Sequence, residues 1–197
     1  MVYIFGYGSL IDADCRQRTF PGEHAYPARL KGFQRYWSGL KSVGDRSAVV
    51  ICPSEDSSVN GVLIPFDERF IDDLDQRECD YNRVLLSQDQ LELLDPLPHS
   101  ATKIYTYVAK ELWRPADETP ILQSYLDVCL RGCLEVSEHY AREFLHSTEF
   151  WVSHWEDDRN APRYPRAENL DALCLEKIDS ILNDMAHLQA HSPLPQR

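Results

Sequence analysis

The chain opens on an unbroken apolar run, Val2-Tyr3-Ile4-Phe5, that stops at Gly6-Tyr7-Gly8 and passes into Ser9-Leu10-Ile11. A β-prone run ended by two glycines predicts a strand and then a sharp turn, because positions without a Cβ let the backbone bend and let another group come close. Asp12 to Phe20 patterns as a short helix broken by Pro21-Gly22. Ala28 to Trp37, Arg46 to Cys52 and Gly61 to Phe66 read as strands, the last two separated by the polar, turn-like Ser54 to Asn60. Asp67 then stands as the N-cap of a helix from Glu68 to Arg77, with acidic Glu68 in the first turn and an apolar stripe at Phe70, Ile71 and Leu74. Tyr81 to Leu86 and Lys103 to Ala109 follow as strands around the proline-containing loop Asp95 to Ser100. Short strands in succession with few helices between them predict an antiparallel sheet or barrel rather than a parallel one.

Past the acidic linker Pro115 to Pro120 the period changes to that of helices. Ile121 to Cys133 places Ile121, Leu122, Tyr125, Val128, Cys129 and Gly132 on one side. Ser137 caps a second helix with Tyr140, Ala141, Phe144 and Leu145 inward, and Leu170 to Leu188 forms a third with Leu170, Leu173, Cys174, Ile178, Ile181, Met185 and Leu188 inward. The organisation expected is a sheet domain over 1–114, a helical extension over 115–190 packed on it, and a disordered tail over 191–197. Such helices serve as packing elements or as a homodimer face. Between the second and third lies a segment with Trp151, Trp155, Arg159, Arg163 and Arg166, unusual in an acidic protein. It reads either as a lid in which Trp151, Trp155 or Arg163 shapes a pocket, or as a loop anchored by its tryptophans with the arginines paired to acids.

Composition narrows the classes. At 197 residues, 43% hydrophobic and 26% charged, the chain is of ordinary globular make-up and can bury a core. A net charge of −12 argues against nucleic acid or an anionic membrane as a general partner. No run is apolar enough to span a bilayer, and the amino terminus lacks the basic and apolar regions of a secretory signal. Six cysteines without a CxxC pair, Cys129 and Cys133 one helical turn apart, fit reduced thiols in a cytoplasmic protein. Seven histidines show no ligand spacing and no Cys/His cluster, so a metal site has no support in the sequence.

Two stretches carry chemistry. If Ser9 begins a helical turn, the N–H groups of Gly8, Ser9, Leu10 and Ile11 form a small positive pocket suited to a carboxylate or phosphate. The same glycines equally suit a plain strand end. A dinucleotide fingerprint is excluded, since Ile11 stands where the third glycine belongs, and a nucleophile elbow needs the serine between the glycines. The second stretch is Glu78, one turn beyond Leu74 on the apolar stripe. Either burial raises its pKa toward a range useful for proton transfer, or the helix frays at Arg77 and Glu78 is an exposed end. Tyr81 and Arg83 share a strand face, so that either both meet Glu78 or Tyr81 is simply an amphipathic core aromatic, the commoner case.

Together, Phe5-Gly6-Tyr7-Gly8-Ser9-Leu10 and Leu74-Asp75-Gln76-Arg77-Glu78-Cys79-Asp80-Tyr81-Asn82-Arg83 resemble the γ-glutamylcyclotransferase-like superfamily, over about residues 1–110. The resemblance implies an α+β fold, a small mixed, mostly antiparallel β-barrel with flanking helices. It implies an enzyme that converts a γ-glutamyl amide into 5-oxoproline and a free amine without a cofactor. Its catalytic glutamate falls on Glu78, and its substrate-holding turn on Tyr7, Gly8, Ser9 and Leu10, with Tyr81 and Arg83 beside them. Ile11-Asp12-Ala13-Asp14 departs from the continuation usual in the glutathione-directed branch, and the motifs do not choose among γ-glutamyl compounds. Folds host many functions, so a module that binds a small carboxylate without turning it over is the alternative from another class.

Overall fold

The computed structural model describes residues 1–197 except 23, 40–43, 99–102, 152–154, 168–169 and 192–197, and the side chains of 186–191. The first element, β1 (Val2–Gly6), is buried along its whole length, as expected of an apolar run flanked on both edges. A single 3-10 turn (Ser9–Ile11) and the short helix α1 (Ala13–Gln17) follow. Then come the long strands β2 (Tyr26–Gly39) and β3 (Ser47–Phe66). A 3-10 turn at Glu68–Phe70 leads into α2 (Ile71–Arg77), and β4 (Tyr81–Leu86), β5 (Leu91–Leu93) and β6 (Lys103–Ala109) follow. The remainder holds β7 (Ile121–Leu122), α3 (Gln123–Val136), α4 (Glu138–His146), β8 (Thr148–Glu149), β9 (Trp155–Glu156) and α5 (Ala172–His191).

The sheet runs β4-β6-β1-β3-β2-β5, with β8 added alongside β2. Every neighbour pair on that path is antiparallel except β1–β6. The architecture is therefore α+β with a mixed, mostly antiparallel sheet, as read from the sequence. The expected closed barrel is not formed among the described residues: β4 pairs with β6 and β5 with β2, and no ladder joins β4 to β5. β5 pairs with Ala28–Leu30 of β2 along one edge and is only three residues long, so its outer edge offers at most a three-residue ladder for closure.

Ser54 to Asn60, expected as a turn, instead lies inside β3. The polar residues do mark an irregularity, because the register slips between Lys31 and Phe33 of β2. Gly32, at a φ of 84° that glycine adopts readily, stands opposite the surplus residues of β3. The stripe on α2 is narrower than its sequence implied: Leu74 is buried, but Phe70 is 54% exposed because a 3-10 turn precedes the helix and rotates it outward.

Two compact units are found, Met1–Ala167 and Glu168–Arg197. In the first, α4 docks on the sheet through polar side chains that hydrophobic periodicity does not reveal. Arg35 of β2 is fully buried, donates to Phe144 O at 3.2 Å and Ser147 Oγ at 3.1 Å, and stacks 4.1 Å from the Phe144 ring. Tyr140, also buried, accepts from the Gly61 N–H and donates to Ala28 O, each at 2.9 Å. Ser137 caps α4 as expected, accepting from Tyr140 N–H at 3.0 Å, and Tyr140, Ala141, Phe144 and Leu145 are buried. In the second unit α5 is a single helix, but Leu173 is 62% exposed rather than inward. The expected tail, 192–197, lies outside the described residues. Among those residues no helix is long and apolar enough to cross a membrane.

Packing between α3 and the opening turn is tight enough to predict a reversal of the usual helix rule. A Cβ on Gly132 would stand 2.3 Å from the Asp12 backbone nitrogen. Alanine normally stabilises a helix interior by ~1 kcal/mol over glycine, whereas overpacking against immovable backbone costs about 1–3 kcal/mol. Gly132→Ala is therefore expected to lower the thermal midpoint; an unchanged or higher midpoint would show that helix and turn separate easily.

Candidate active site

The turn after β1 is built by its neighbours. Gly8 opens it, and the Ile11 and Asp12 N–H groups donate back to Gly8 O at 2.9 Å and Ser9 O at 3.2 Å. Ile11 is thus spent on the turn itself, leaving the N–H groups of Gly8, Ser9 and Leu10 without a hydrogen-bond partner among the described residues. Buried Arg16 donates to the carbonyls of Leu10 at 3.0 Å and Ile11 at 2.9 Å, which fixes the peptide planes. A Cβ at Gly8 would come within 2.7 Å of Val49 Cγ2 and 3.0 Å of the Tyr125 hydroxyl, so glycine is required here by lack of space.

Glu78 ends α2, its N–H donating to Leu74 O at 2.9 Å while its own carbonyl accepts from Tyr81 N–H at 3.0 Å. The helix does stop at Arg77, yet the glutamate is not an exposed end: its side chain is only 26% exposed. Burial pushes the Glu78 carboxyl above the ordinary glutamate value, and the guanidiniums of Arg77 and Arg166 pull it partly back. Lys110 holds the loop behind it, donating to Cys79 O at 2.7 Å through Nζ and to Asp80 O at 3.0 Å through its backbone.

Turn and glutamate face one cavity of about 450 Å³. Of the residues expected at a site, Tyr7, Gly8, Ser9, Leu10, Glu78 and Tyr81 all line it. Arg83 does not. It is held 3.0 Å from Asp75 Oδ2 and lies over the Tyr105 ring at 5.0 Å. Asp75 also accepts from the Tyr107 hydroxyl at 2.8 Å, and Tyr107 O accepts from the Tyr7 hydroxyl at 2.7 Å. Arg83 therefore stands behind the wall, bracing two tyrosines that form it. Burial, with the Glu78 charge adding to it, raises the Tyr7 and Tyr81 phenols above their ordinary value, so both remain neutral hydrogen-bonding groups.

The opposite wall comes from chain that the two motifs do not include. Tyr125 of α3 and the run Tyr164-Pro165-Arg166 line the cavity. Their placement depends on Asp158, which is buried at the start of α3 and accepts from Ser124 N–H at 2.8 Å, Ser124 Oγ at 2.6 Å and Arg163 N–H at 2.8 Å. A carboxylate at a helix amino terminus is favoured by the free N–H groups there. Ser124 Oγ in turn accepts from Tyr164 N–H at 3.3 Å, and the Tyr164 hydroxyl lies 3.8 Å from the Cys15 thiol. The residues first considered for a lid are otherwise engaged: Trp151 stacks on Trp155, Arg159 grips Asp127 at 2.7 Å, and Arg163 pairs with Glu156. Of the tryptophans and arginines that flagged the segment, Arg166 does line the cavity, beside Tyr164 and Pro165.

Asp158→Ala should release this wall. With hydrogen bonds to a charged group worth about 1.5–3 kcal/mol, a drop of several degrees in thermal midpoint is expected. Faster tryptic cleavage at Arg159, Arg163 and Arg166 should accompany it. Unchanged cleavage would mean the segment is held by other contacts.

Comparison with known proteins agrees with this geometry. A family model described as γ-glutamyl cyclotransferase, AIG2-like, matches residues 4–126. No curated protein matches. Among solved structures, a γ-glutamyl cyclotransferase superposes with a TM-score of 0.57 at 15% identity, over 92% of this chain and 98% of that one. A human protein described as uncharacterized gives 0.57 at 15% identity, over 91% and 97%. YkqA from Bacillus subtilis gives 0.51 at 21% identity, over 75% of this chain and 55% of that one. At such identities these likenesses speak to the fold, while the family match spans more than half of the sequence and contains both the turn and Glu78. The chain belongs to the γ-glutamyl cyclotransferase, AIG2-like family.

Proposed function

We propose that the protein is a cyclotransferase that releases 5-oxoproline and a free amine from a γ-glutamyl amide, with Glu78 as its general acid and base. One observation carries the reading: a half-buried carboxylate of raised pKa and a turn with free N–H groups line the same cavity. The N–H groups of Gly8, Ser9 and Leu10 hold the substrate α-carboxylate, and Tyr7 and Tyr81 pack against the glutamyl chain.

The ionised Glu78 takes a proton from the substrate α-ammonium. The freed amine attacks the δ-carbonyl carbon, a C–N bond forms, and the carbonyl oxygen carries negative charge that N–H donors stabilise. The attacking nitrogen sheds a second proton as the ring settles. Both protons pass by way of Glu78 to the departing nitrogen as its bond to the δ-carbon breaks. The ring nitrogen keeps one hydrogen, and the leaving amine departs as an ammonium, so atoms and charge balance. Holding the glutamyl chain folded supplies proximity, worth several powers of ten in ring closures. No protein nucleophile enters the sequence of steps.

The test is release of 5-oxoproline from a panel of γ-glutamyl amino acids, peptides and amines. Saturable binding with no 5-oxoproline from any of them would favour the non-catalytic binding module instead.

A further inference from the structure

The cationic side chains of the cavity are not equivalent. Arg77 lies 3.5 Å from Glu78, and Arg46 is paired with Asp45 at 2.6 Å. Arg166 is placed differently. Its Nη1 donates to the Cys15 thiol at 3.8 Å, a weak acceptor, and no carboxylate stands within ion-pair distance of it among the described residues. It is half-buried and shares the cavity with Glu78. Its backbone is fixed in advance: Arg163 N–H is held by Asp158, Tyr164 N–H by Ser124, and Ala167 N–H closes a turn onto Tyr164 O at 2.9 Å.

A guanidinium offers five N–H donors in a planar fork that matches a carboxylate. Leaving that fork on one thiol in a partly desolvated cavity makes physical sense when a ligand anion completes it. The glutamyl half of a substrate brings one carboxylate and one ammonium, and these are already matched by the turn N–H groups and by Glu78. A second anion has to come from the other side of the scissile amide.

We propose that Arg166 receives a carboxylate on the leaving amine, which makes γ-glutamyl amino acids, rather than γ-glutamyl derivatives of neutral amines, the preferred substrate class. This rests on the cyclotransferase reading. The fork sets specificity by pairing with a group that stays charged from bound substrate to released product. It therefore acts mainly on binding of the leaving half, whereas Glu78 acts on the proton transfers.

The experiment compares γ-glutamyl-alanine with γ-glutamyl-alaninamide and γ-glutamyl-ethylamine on the full chain, reading kcat/KM from 5-oxoproline. Charge-assisted bonds of this kind predict about a 10- to 100-fold preference for the alanine compound. In Arg166→Gln, checked for an unchanged thermal melt, that preference should collapse to within about 3-fold, mainly through KM, and Arg166→Lys should restore part of it. Equal turnover of all three compounds by the native protein overturns the assignment while leaving the cyclotransferase reading intact. A loss in Arg166→Gln that falls equally on all three also overturns it, since the arginine would then act on the glutamyl half or on Glu78. No 5-oxoproline from any compound removes the reading and the assignment with it.

Discussion

Replacing Glu78 with glutamine is expected to lower kcat for 5-oxoproline release by roughly 10²- to 10⁴-fold, the range for a positioned acid–base group, with much less change in KM. The amide keeps the shape of the side chain, so the turn and the tyrosine wall should still bind and fold the substrate. The residual rate is that of proximity alone. Stability should move the other way. Burial raises the folded-state pKa of Glu78, so its carboxylate is less welcome in the folded protein than in the unfolded chain. The stability lost through this group is absent below the ordinary glutamate pKa and sets in as pH rises through the raised folded value. Glu78→Gln should thus melt higher than the native protein at neutral pH, and the gain should vanish in acid. The native pH–rate profile should show an acid limb above the ordinary glutamate range, missing in the variant. Full turnover in Glu78→Gln would remove the residue from the mechanism; a lower melting point at neutral pH would mean that Arg77 and Arg166 outweigh desolvation.

How far the sequence reveals this site depends on how local each contribution is. The turn at Gly6–Leu10 and the α2–β4 junction at Glu78–Tyr81 are each short, with their chemistry carried by adjacent residues, so pattern and spacing are enough to find them. Tyr81 and Arg83 do share a strand face, but two residues of strand are about 7 Å, and at that distance Arg83 meets Asp75 rather than the cavity. Tyr125 falls on the side of α3 that helical period marks as apolar, whereas Tyr164 and Arg166 are brought to the cavity with the Asp158–Ser124 contact, which joins residues 34 positions apart and has no periodic signature. The sheet shows the same division. Strand content and the antiparallel preference follow from alternation, whereas the open edge between β4 and β5 depends on how few residues β5 contributes.

The largest expected loss of stability is at Asp12, and it bears directly on the turn. Asp12 is fully buried, caps α1 by accepting from Cys15 N–H at 2.7 Å, and holds Arg131 of α3 through two bonds of 2.6 and 2.7 Å. Asp12→Ala removes the cap, worth about 1 kcal/mol, and strands a largely buried guanidinium, which costs about 3–5 kcal/mol when no partner remains. Arg131 keeps Asp14 at 3.3 Å, and Asp14 is well exposed, so the lower end of that range applies. At about 2–4 °C per kcal/mol for a domain of this size, a fall of roughly 8–16 °C in the melting midpoint follows. Asp12→Asn, which can still cap, should recover part of it. The double variant Asp12→Ala with Arg131→Met should lose less than the two single losses combined, because neither charge is left alone. Turnover by Asp12→Ala well below its midpoint should show a raised KM with kcat better preserved, since the residue steadies the N–H groups proposed to hold the α-carboxylate and lies outside the proposed proton path. Additive losses in the double variant would mean that Asp12 acts through the cap alone, and an unchanged KM that the turn keeps its shape without it.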